Sequence, residues 1–300
     1  MEDEKKKIRI VSPAKQIEEK QVVFAKDFLE KHGFIVEISA HALGQYHYFS
    51  GTINERLSDF QEALDDPSVD FILCARGGYG CVQFIDLLDF TEFLKSPKLI
   101  IGYSDVTVFH SHLHRHFSVP SLHATAPLNF SENTKEALDS LLNVLNNQPN
   151  EYRFQPHDLN VNGEISAPVV GGNLSILYSL LGTNSDFNYK GKILFIEEVG
   201  EAVYAIDRMF YALKKANKLK GLMGVIVGGL TNMKDSEVPF GKSAEEVIWS
   251  HIQPLGIPCC FSFPAGHIDD NRALILGANA QLSVTAQEVV FCSPKAKKQS

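Results

Sequence analysis

The sequence predicts an α/β protein of two domains, the first built on a parallel sheet with helices on both faces. Strand and helix patterns alternate from residue 1 to about residue 145, as in a series of strand–helix–strand units. Two of the predicted strands, at 69–74 and 98–101, are short apolar runs that each end in a tight turn. Beyond a polar stretch the pattern becomes less regular, which indicates a mixed α/β second domain.

The elements of the first domain follow from the spacing of apolar residues. The helix at 18–31 places Val22, Phe28 and Leu29 on apolar faces and ends at Gly33. The other predicted elements are strands at 8–11, 34–38, 69–74 and 98–101, helices at 53–64 and 134–145, and a helix that begins at Asp105.

A polar segment at 146–162, with Pro149 and Pro156, is expected to link two domains, 1–145 and 163–300. The patterns after it predict helices at 174–181, 202–215 and 244–251 and strands at 192–196 and 224–227. Short β-like runs at 258–262, 273–276, 281–285 and 289–292 predict a closing meander.

Charge and composition exclude several functional classes. The net charge of −8 argues against binding of nucleic acid or of an anionic membrane, because both need a basic surface. The basic clusters at 5–7 and 295–298 lie at the chain ends and are typical of solvated termini. Contents of 44% hydrophobic and 21% charged residues are those of a soluble globular protein.

Several features predict a cytoplasmic protein. The first residues are acidic, the apolar run after them is too short for a secretory signal, and no run approaches the ~20 residues that cross a bilayer. The cysteines Cys74, Cys81, Cys259, Cys260 and Cys292 show no Cys-x-x-Cys spacing. Cys259 and Cys260 point to opposite faces of a predicted strand, which indicates small buried residues and not a metal clamp.

The turns after the strands at 69–74 and 98–101 carry the chemistry. The segment 76–80 reads Arg-Gly-Gly-Tyr-Gly, and its glycines allow backbone amides to face one small concave space. Ser104, at a strand-to-helix corner, can hold its hydroxyl exposed beside an amide that faces an oxyanion. Two alternatives stay open: Ser104 as a helix N-cap, and a phosphate cradle, although no Gly-Lys-Ser/Thr or Gly-x-Gly-x-x-Gly pattern is present.

A serine nucleophile needs a base, and the base needs a carboxylate that orients it. His267 is the preferred base because it follows an apolar strand on a turn fixed by proline and glycine, with a solvated surface histidine as an equal alternative. His123, at the end of a predicted strand of the first sheet, is its rival. Glu197 closes an apolar strand and is the preferred carboxylate, with Glu198 and Glu201 as alternatives. Pleat alternation puts Glu197 and Glu198 on opposite faces, so only one can join the site.

Four histidines at alternate positions, His110, His112, His114 and His116, are the strongest indication of a metal site. On a helix they form i, i+4 pairs on different faces, and two imidazoles alone do not complete a zinc site. No His-Glu-x-x-His pattern or cysteine pair accompanies them. We therefore expect packing at these positions, with no metal and no cofactor.

In this order, the motifs resemble those of the LD-carboxypeptidase family of serine peptidases, which also contains the microcin C self-immunity peptidases. The resemblance spans about 8 to 290 and rests on the loop at 76–80, Gly-Tyr-Ser-Asp at 102–105, Gly-Gly-Asn-Leu at 171–174, Leu-Phe-Ile-Glu-Glu at 194–198 and Gly-His at 266–267. Glu-Arg-Leu-x-Asp at 55–59 and Ile-Asp-Arg at 206–208 are also similar to the family.

The resemblance implies a catalytic triad with Ser104 as nucleophile, His267 as base and Glu197 as the residue that orients the histidine. It also implies an oxyanion hole formed by the backbone amides of Gly78 and Asp105.

Substrate contacts are predicted for Arg76, Gly77, Tyr79 and His123. Arg76 is the candidate for the terminal carboxylate of a peptide, with a structural salt bridge as its equal alternative. The chain departs from the family at 123–127, His-Ala-Thr-Ala-Pro for His-Gly-Pro-Met, and at 204–208, Tyr-Ala-Ile-Asp-Arg for Tyr-Arg-Ile-Asp-Arg. Both stretches are expected near the substrate cleft, where they affect the choice of peptide and not the catalytic triad.

For the whole chain the resemblance implies a flavodoxin-like N-terminal domain, a C-terminal domain with a barrel-like sheet, and a homodimer. The implied substrate is a cytoplasmic murein tetrapeptide from cell-wall recycling, cut between the L-centre of meso-diaminopimelate and terminal D-alanine. One alternative is a microcin-type peptidase that cuts a peptide–nucleotide amide, disfavoured because Trp249 lies in a predicted helix away from the motifs. The other is a non-catalytic protein that binds a small anion.

Overall fold

The computed structural model describes residues 5–295, so the acidic start at 1–4 and most of the basic tail at 295–298 lie outside the described residues. The strands of the first half are β1 (Lys7–Val11), β2 (Ile35–Ile38), β3 (Phe71–Cys74), β4 (Leu99–Gly102) and β5 (Ser121–His123). Its helices are α1 (Glu19–Lys31), α2 (Ile53–Asp65), α3 (Thr91–Lys95), α4 (Thr107–Phe117) and α5 (Lys135–Leu145).

The second half contributes most of the strands and three further helices. Its strands are β6 (Glu151–Phe154), β7 (Gly163–Asn173), β8 (Ile193–Val199), β9 (Gly224–Thr231), β10 (Cys259–Cys260), β11 (Leu274–Leu276), β12 (Asn279–Val284) and β13 (Val289–Cys292). Its helices are α6 (Leu174–Ser179), α7 (Val203–Lys215) and α8 (Ala244–Ile252). None of the helices in the described part of the chain is long and apolar enough to cross a membrane.

The first sheet has the strand order β11-β5-β4-β3-β1-β2, and β1 to β5 run parallel. Helices α1 and α5 cover one face, where Leu29 and Leu141 pack with the apolar residues of β1. Helices α2 and α4 cover the other face, where the rings of Phe60 and Phe109 stack with centroids 4.1 Å apart. The predicted parallel sheet with helices on both faces is confirmed.

The edge strand β11 corrects one prediction, since 273–276 was expected in a meander of the second domain. β11 instead pairs antiparallel with β5, with Leu274 opposite His123. Ile275 packs in the core of the first sheet, whereas Leu274 and Leu276 pack in the core of the second. Because both faces of the run are apolar, its composition fits either sheet and long-range pairing decides between them.

The second sheet has the order β10-β9-β8-β7-β12-β13-β6, with β7 to β10 parallel and the remaining pairs antiparallel. The predicted mixed sheet is confirmed, although β7 was not predicted and β6 lies inside the expected linker. A bridge between Val161 and Cys259 brings the chain that leaves β6 against β10, at the other edge. Cys259 and Cys260 pack in different cores, on opposite faces of β10 as predicted.

Candidate active site

Ser104 stands where β4 ends and a short 3-10 turn, Ser104–Val106, leads into α4. Its φ of 64° lies in the left-handed region, which non-glycine residues rarely adopt and which is frequent at functional sites. A Cβ atom placed on Gly77 would lie 2.7 Å from Ser104 Cβ and 3.0 Å from Ser104 Oγ. Only a glycine can approach the hydroxyl so closely, and the two predicted turns therefore meet beyond the carboxyl ends of neighbouring strands.

The hydroxyl of Ser104 and two nearby amides have no intramolecular hydrogen-bond partner within residues 5–295. Ser104 does not cap α4, because the N-cap position of that helix is Val106. The backbone amides of Gly78 and Asp105 donate no hydrogen bond in the described structure. A Cβ on Gly77 would lie 3.2 Å from the nitrogen of Asp105, so the Asp105 amide borders the loop that carries the Gly78 amide. Free amides beside a hydroxyl can stabilise a developing oxyanion.

Arg56, on α2, holds the glycine loop in place, a role that the sequence did not predict. The residue is 2% exposed, and Nη1 donates to the carbonyls of Pro13 at 2.9 Å and Gly80 at 3.2 Å. Nη2 donates to Gln83 Oε1 at 2.6 Å. Arg56 thus ties the loop after β1 to the loop after β3. The sequence did contain one indication that Arg56 is buried: it stands four residues before Phe60, and therefore on the apolar face of an amphipathic helix.

The side chain of Asp105 supports the same loop. Its Oδ2 accepts a hydrogen bond from the amide of Cys81 at 2.8 Å, and its Oδ1 has no partner among the residues described. Burial raises the pKa of Asp105, and the hydrogen bonds from Cys81 oppose that shift. Asp105 therefore presents its amide to the site while its carboxylate holds the loop.

Glu197 and His267 form the second half of the site. His267 Nδ1 donates to Glu197 Oε2 at 2.6 Å, and the carboxylate is fully buried. This bond leaves His267 Nε2 as the nitrogen free to accept a proton. Gly266, at φ 117°, makes the contact possible, because a Cβ there would lie 2.8 Å from Glu197 Cβ.

Glu197 also sets the protonation of the imidazole. Burial lowers the pKa of His267, but the charge and the hydrogen bond of Glu197, with a smaller contribution from Glu198, outweigh burial and raise that pKa above its ordinary value. The pair is therefore built to favour the imidazolium, the form that a general base becomes once it has taken a proton.

Tyr103 links the two halves. Its ring centroid lies 4.9 Å from that of His267, and its hydroxyl donates to Asn129 Oδ1 at 2.6 Å. Tyr103 directly precedes Ser104, so Ser104 and His267 both lie beside the same tyrosine. The described residues show no hydrogen bond between Ser104 Oγ and His267; such bonds are often long in unliganded enzymes and tighten when substrate binds.

Glu198 faces away from the imidazole. It accepts hydrogen bonds from Asn173 Nδ2 at 3.0 Å and from the amide of Ser175 at 2.7 Å, at the start of α6. Burial raises the pKa of Glu198, and the amide of Val199 opposes the shift. The two adjacent glutamates therefore have different partners: Glu197 bonds to the imidazole of His267, and Glu198 bonds to the start of α6.

His123 lies behind the site and has no exposed surface. Its ring packs against those of Phe195, at 4.8 Å between centroids, and Tyr103, at 5.9 Å, and neither ring nitrogen has a hydrogen-bond partner within the described chain. Burial holds the pKa of His123 well below its usual value. His123 therefore presents no surface to a ligand in this structure, and its predicted contact with substrate finds no support here.

Arg76 and Tyr79 flank the glycine loop. Arg76 is half-buried, its Nη1 donates to the carbonyl of Gln16 at 3.0 Å, and it forms no ion pair with any residue that the structure describes. The alternative of a structural salt bridge therefore finds no support. Tyr79 is 48% exposed and free to meet a ligand.

The four histidines of α4 pack against their surroundings. Their partners are Ser121 and the carbonyl of Gly102 for His110, Ser185 for His112, the ring of Phe187 for His114 and the carbonyl of Asn184 for His116. Burial lowers the pKa of His110, His112 and His114 to about 4. No group of three or more histidine, cysteine or carboxylate side chains placed to hold a metal occurs between residues 5 and 295.

Fold and site together define a class, a two-domain α/β protein with a strained serine at the end of a strand of the first sheet and a buried glutamate of the second sheet paired with a partly exposed histidine. A solved structure of this architecture is the muramoyltetrapeptide carboxypeptidase of Oxalobacter formigenes. The two superpose with a TM-score of 0.88 at 25% sequence identity, over 96% of this chain and 99% of that one.

The chain belongs to the LD-carboxypeptidase family. The family model of the LD-carboxypeptidase N-terminal domain matches residues 8–124, and that of the C-terminal domain matches residues 166–282. The chain is 31% identical to the probable murein peptide carboxypeptidase of Bacillus subtilis, over 95% of this chain and 91% of that protein. It is 29% identical to the murein tetrapeptide carboxypeptidase of Pseudomonas aeruginosa, over 92% of each.

Proposed function

We propose that this chain is a serine LD-carboxypeptidase that releases terminal D-alanine from murein tetrapeptides. The observation that carries the proposal is the 2.6 Å hydrogen bond between His267 and the fully buried Glu197, in a chain whose Ser104 is held in a strained turn. A carboxylate, an imidazole, a hydroxyl and two free amides are the groups that acyl transfer needs. The similarity to murein peptidases supplies the substrate class.

In the proposed reaction, Ser104 Oγ attacks the carbonyl carbon between meso-diaminopimelate and D-alanine while His267 Nε2 takes the hydroxyl proton. Glu197 holds the Nδ1–H and stabilises the imidazolium. The amides of Gly78 and Asp105 bind the oxyanion of the tetrahedral intermediate. His267 then gives its proton to the nitrogen of D-alanine, the C–N bond breaks, and water hydrolyses the acyl-enzyme by the same sequence of proton transfers.

The proposal also covers where the enzyme acts, its oligomeric state and how the two domains share the site. The reaction takes place in the cytoplasm, on peptides recovered from cell-wall turnover, and the active form is a homodimer. Residues 1–145 carry the nucleophile and 163–300 carry the base and its carboxylate. Gly77 and the exposed Tyr79 line the substrate cleft.

The test is incubation of the purified protein with defined murein tri-, tetra- and pentapeptides, followed by mass spectrometry of the products. The tetrapeptide should lose one alanine and the tripeptide should stay intact. A tetrapeptide that ends in L-alanine is the matched control and should not be cut. If no peptide loses D-alanine while a peptide–nucleotide amide is hydrolysed, the substrate proposal is wrong.

A further inference from the structure

Lys15 is a half-buried cation fixed beside the glycine loop. It lies in the loop that follows β1, its amide donates to the carbonyl of Gly77 at 3.3 Å, and it forms an antiparallel bridge with Phe49. These contacts hold the Lys15 backbone between the glycine loop and the segment that follows β2.

The side chain of Lys15 runs along Gly78, the glycine whose amide is proposed to bind the oxyanion. A Cβ on Gly78 would lie 2.8 Å from Lys15 Cβ, 3.6 Å from Lys15 Cδ and 3.1 Å from the hydroxyl oxygen of Tyr48. Lys15 Nζ lies 5.0 Å from the ring centroid of Tyr48, at cation–π distance. An ammonium and a phenol hydroxyl therefore stand together at the rim of the loop that also touches Ser104.

This ammonium lacks an anionic partner. Lys15 forms no salt bridge and no side-chain hydrogen bond with any described residue, whereas Lys218, also half-buried, pairs with Asp186. The ammonium keeps contact with solvent, since it is not among the buried polar atoms that lack a partner. An accessible cation without an anionic partner, beside free backbone amides, attracts an anion supplied from outside. The other cations at the loop already have partners: Arg76 donates to the carbonyl of Gln16, and Arg56 donates to the carbonyls of Pro13 and Gly80.

We propose that Lys15 Nζ, with the hydroxyl of Tyr48, binds the terminal carboxylate of the substrate. The assignment rests on the proposed function, since a carboxypeptidase must recognise that group. In a peptide, consecutive Cα atoms are about 3.8 Å apart, so the carboxylate lies one residue beyond the scissile carbonyl. When the scissile carbonyl is bound at the Gly78 amide, the terminal carboxylate therefore lies close to Gly78, in the region that the Lys15 side chain occupies.

The test measures binding without turnover. Calorimetric titration of Ser104→Ala with the meso-diaminopimelate tetrapeptide, and with the same peptide as its C-terminal amide, should show tighter binding of the acid by about tenfold to a hundredfold. Adding Lys15→Met, which keeps the length of the stem and removes the charge, should abolish that difference. Tyr48→Phe should reduce it. Lys20→Met is the matched control, because Lys20 is exposed and pairs with Glu18 at 2.7 Å; it should leave both affinities unchanged.

A tetrapeptide with L-lysine in place of meso-diaminopimelate lacks the side-chain carboxylate of the residue before D-alanine and keeps the terminal carboxylate, so it separates the contributions of these two groups. Loss of affinity in Lys15→Met for this peptide too supports the assignment. Equal binding of acid and amide, loss of the discrimination in Arg76→Met alone, or an effect confined to the diaminopimelate peptide overturns it. If the protein binds the acid more tightly than the amide, as predicted, but the wild type hydrolyses neither peptide, the proposed function is wrong and the carboxylate site stands.

Discussion

The two halves of the proposed site are built by different interactions. Around Ser104, backbone geometry sets the arrangement: a left-handed φ, a glycine with no room for a Cβ, and Arg56 bonded to loop carbonyls. Around His267, charge sets it, through a buried carboxylate hydrogen-bonded to the imidazole. Substitutions in the first half should therefore act through shape, and substitutions in the second half through protonation.

The largest effect is expected in the first half. Ser104→Ala removes the proposed nucleophile, so D-alanine release should fall by at least about 10⁴-fold. The thermal midpoint should stay close to wild type, because Ser104 Oγ has no hydrogen-bond partner within the described chain. Product assay and a thermal melt measure the two quantities. Full activity in this variant would remove the serine from the mechanism.

The next effect separates the two adjacent carboxylates of the second half. Glu197→Gln keeps the shape but removes the charge that holds the Nδ1–H, so kcat should fall by about 10³- to 10⁴-fold. Glu198→Gln should cost mainly stability, about 1–3 kcal/mol, because its oxygens accept from the start of α6. The measurements are kcat and the free energy of unfolding in denaturant, each for both variants. A greater loss of activity in Glu198→Gln would mean that the wrong face of β8 had been chosen.

A smaller loss is expected from steric change at the glycine loop. Gly77→Ala would put a Cβ 2.7 Å from Ser104 Cβ, and kcat should drop by about 10²-fold as the hydroxyl and the oxyanion amides lose alignment. The control is Gly51→Ala, whose Cβ would have its nearest contacts with the flexible side chain of Glu55, at 3.0 Å and beyond. It should retain near-normal kcat, and similar losses in the two variants would contradict the steric account.

The pH dependence of kcat/KM reports on the Glu197–His267 pair alone. Because Glu197 raises the pKa of His267 and only neutral imidazole can take a proton, kcat/KM should rise with pH along an acid limb centred above 6.5. Glu197→Gln should move that limb to lower pH. Stability has the opposite sign: the contribution of the pair is complete below 6.5 and is lost as pH rises through the raised pKa. A pH–rate profile with its acid limb at or below 6.5 in the wild type would contradict this.

Removal of metal ions is expected to have no effect on activity. Neither half of the proposed site uses a metal, so prolonged treatment with EDTA should leave D-alanine release unchanged. Loss of activity with recovery on addition of zinc would instead give the histidines of α4 a functional role.

The sequence predicted the elements whose signal is local. Apolar runs marked β3 and β4, and amphipathic spacing marked α1 and α5. Three strands depend on distant parts of the chain and were not predicted correctly. The glycines and proline of β7 hide its strand character, the apolar faces of β11 fit either sheet, and β6 lies in the polar segment and pairs with β13.

The residues of the site also divide into those with a local sequence signal and those placed by contacts between distant parts of the chain. Ser104, Glu197 and His267 were identifiable because each is a reactive side chain at the end of an apolar run or on a fixed turn. The task of Arg56 was not, because its partners are backbone carbonyls of loops 24 and 43 residues away in the chain. Lys15 carries no local pattern at all, and only the fold brings it to Gly78.

The central claim is that Ser104 is the nucleophile activated by the Glu197–His267 pair. The most direct test is labelling with a fluorophosphonate, followed by peptide mapping, in the wild type and in His267→Ala. We predict modification of Ser104 in the wild type, protection by excess tetrapeptide, and much slower labelling without the imidazole. Inactivation that modifies another residue while Ser104 stays unmodified would contradict the account.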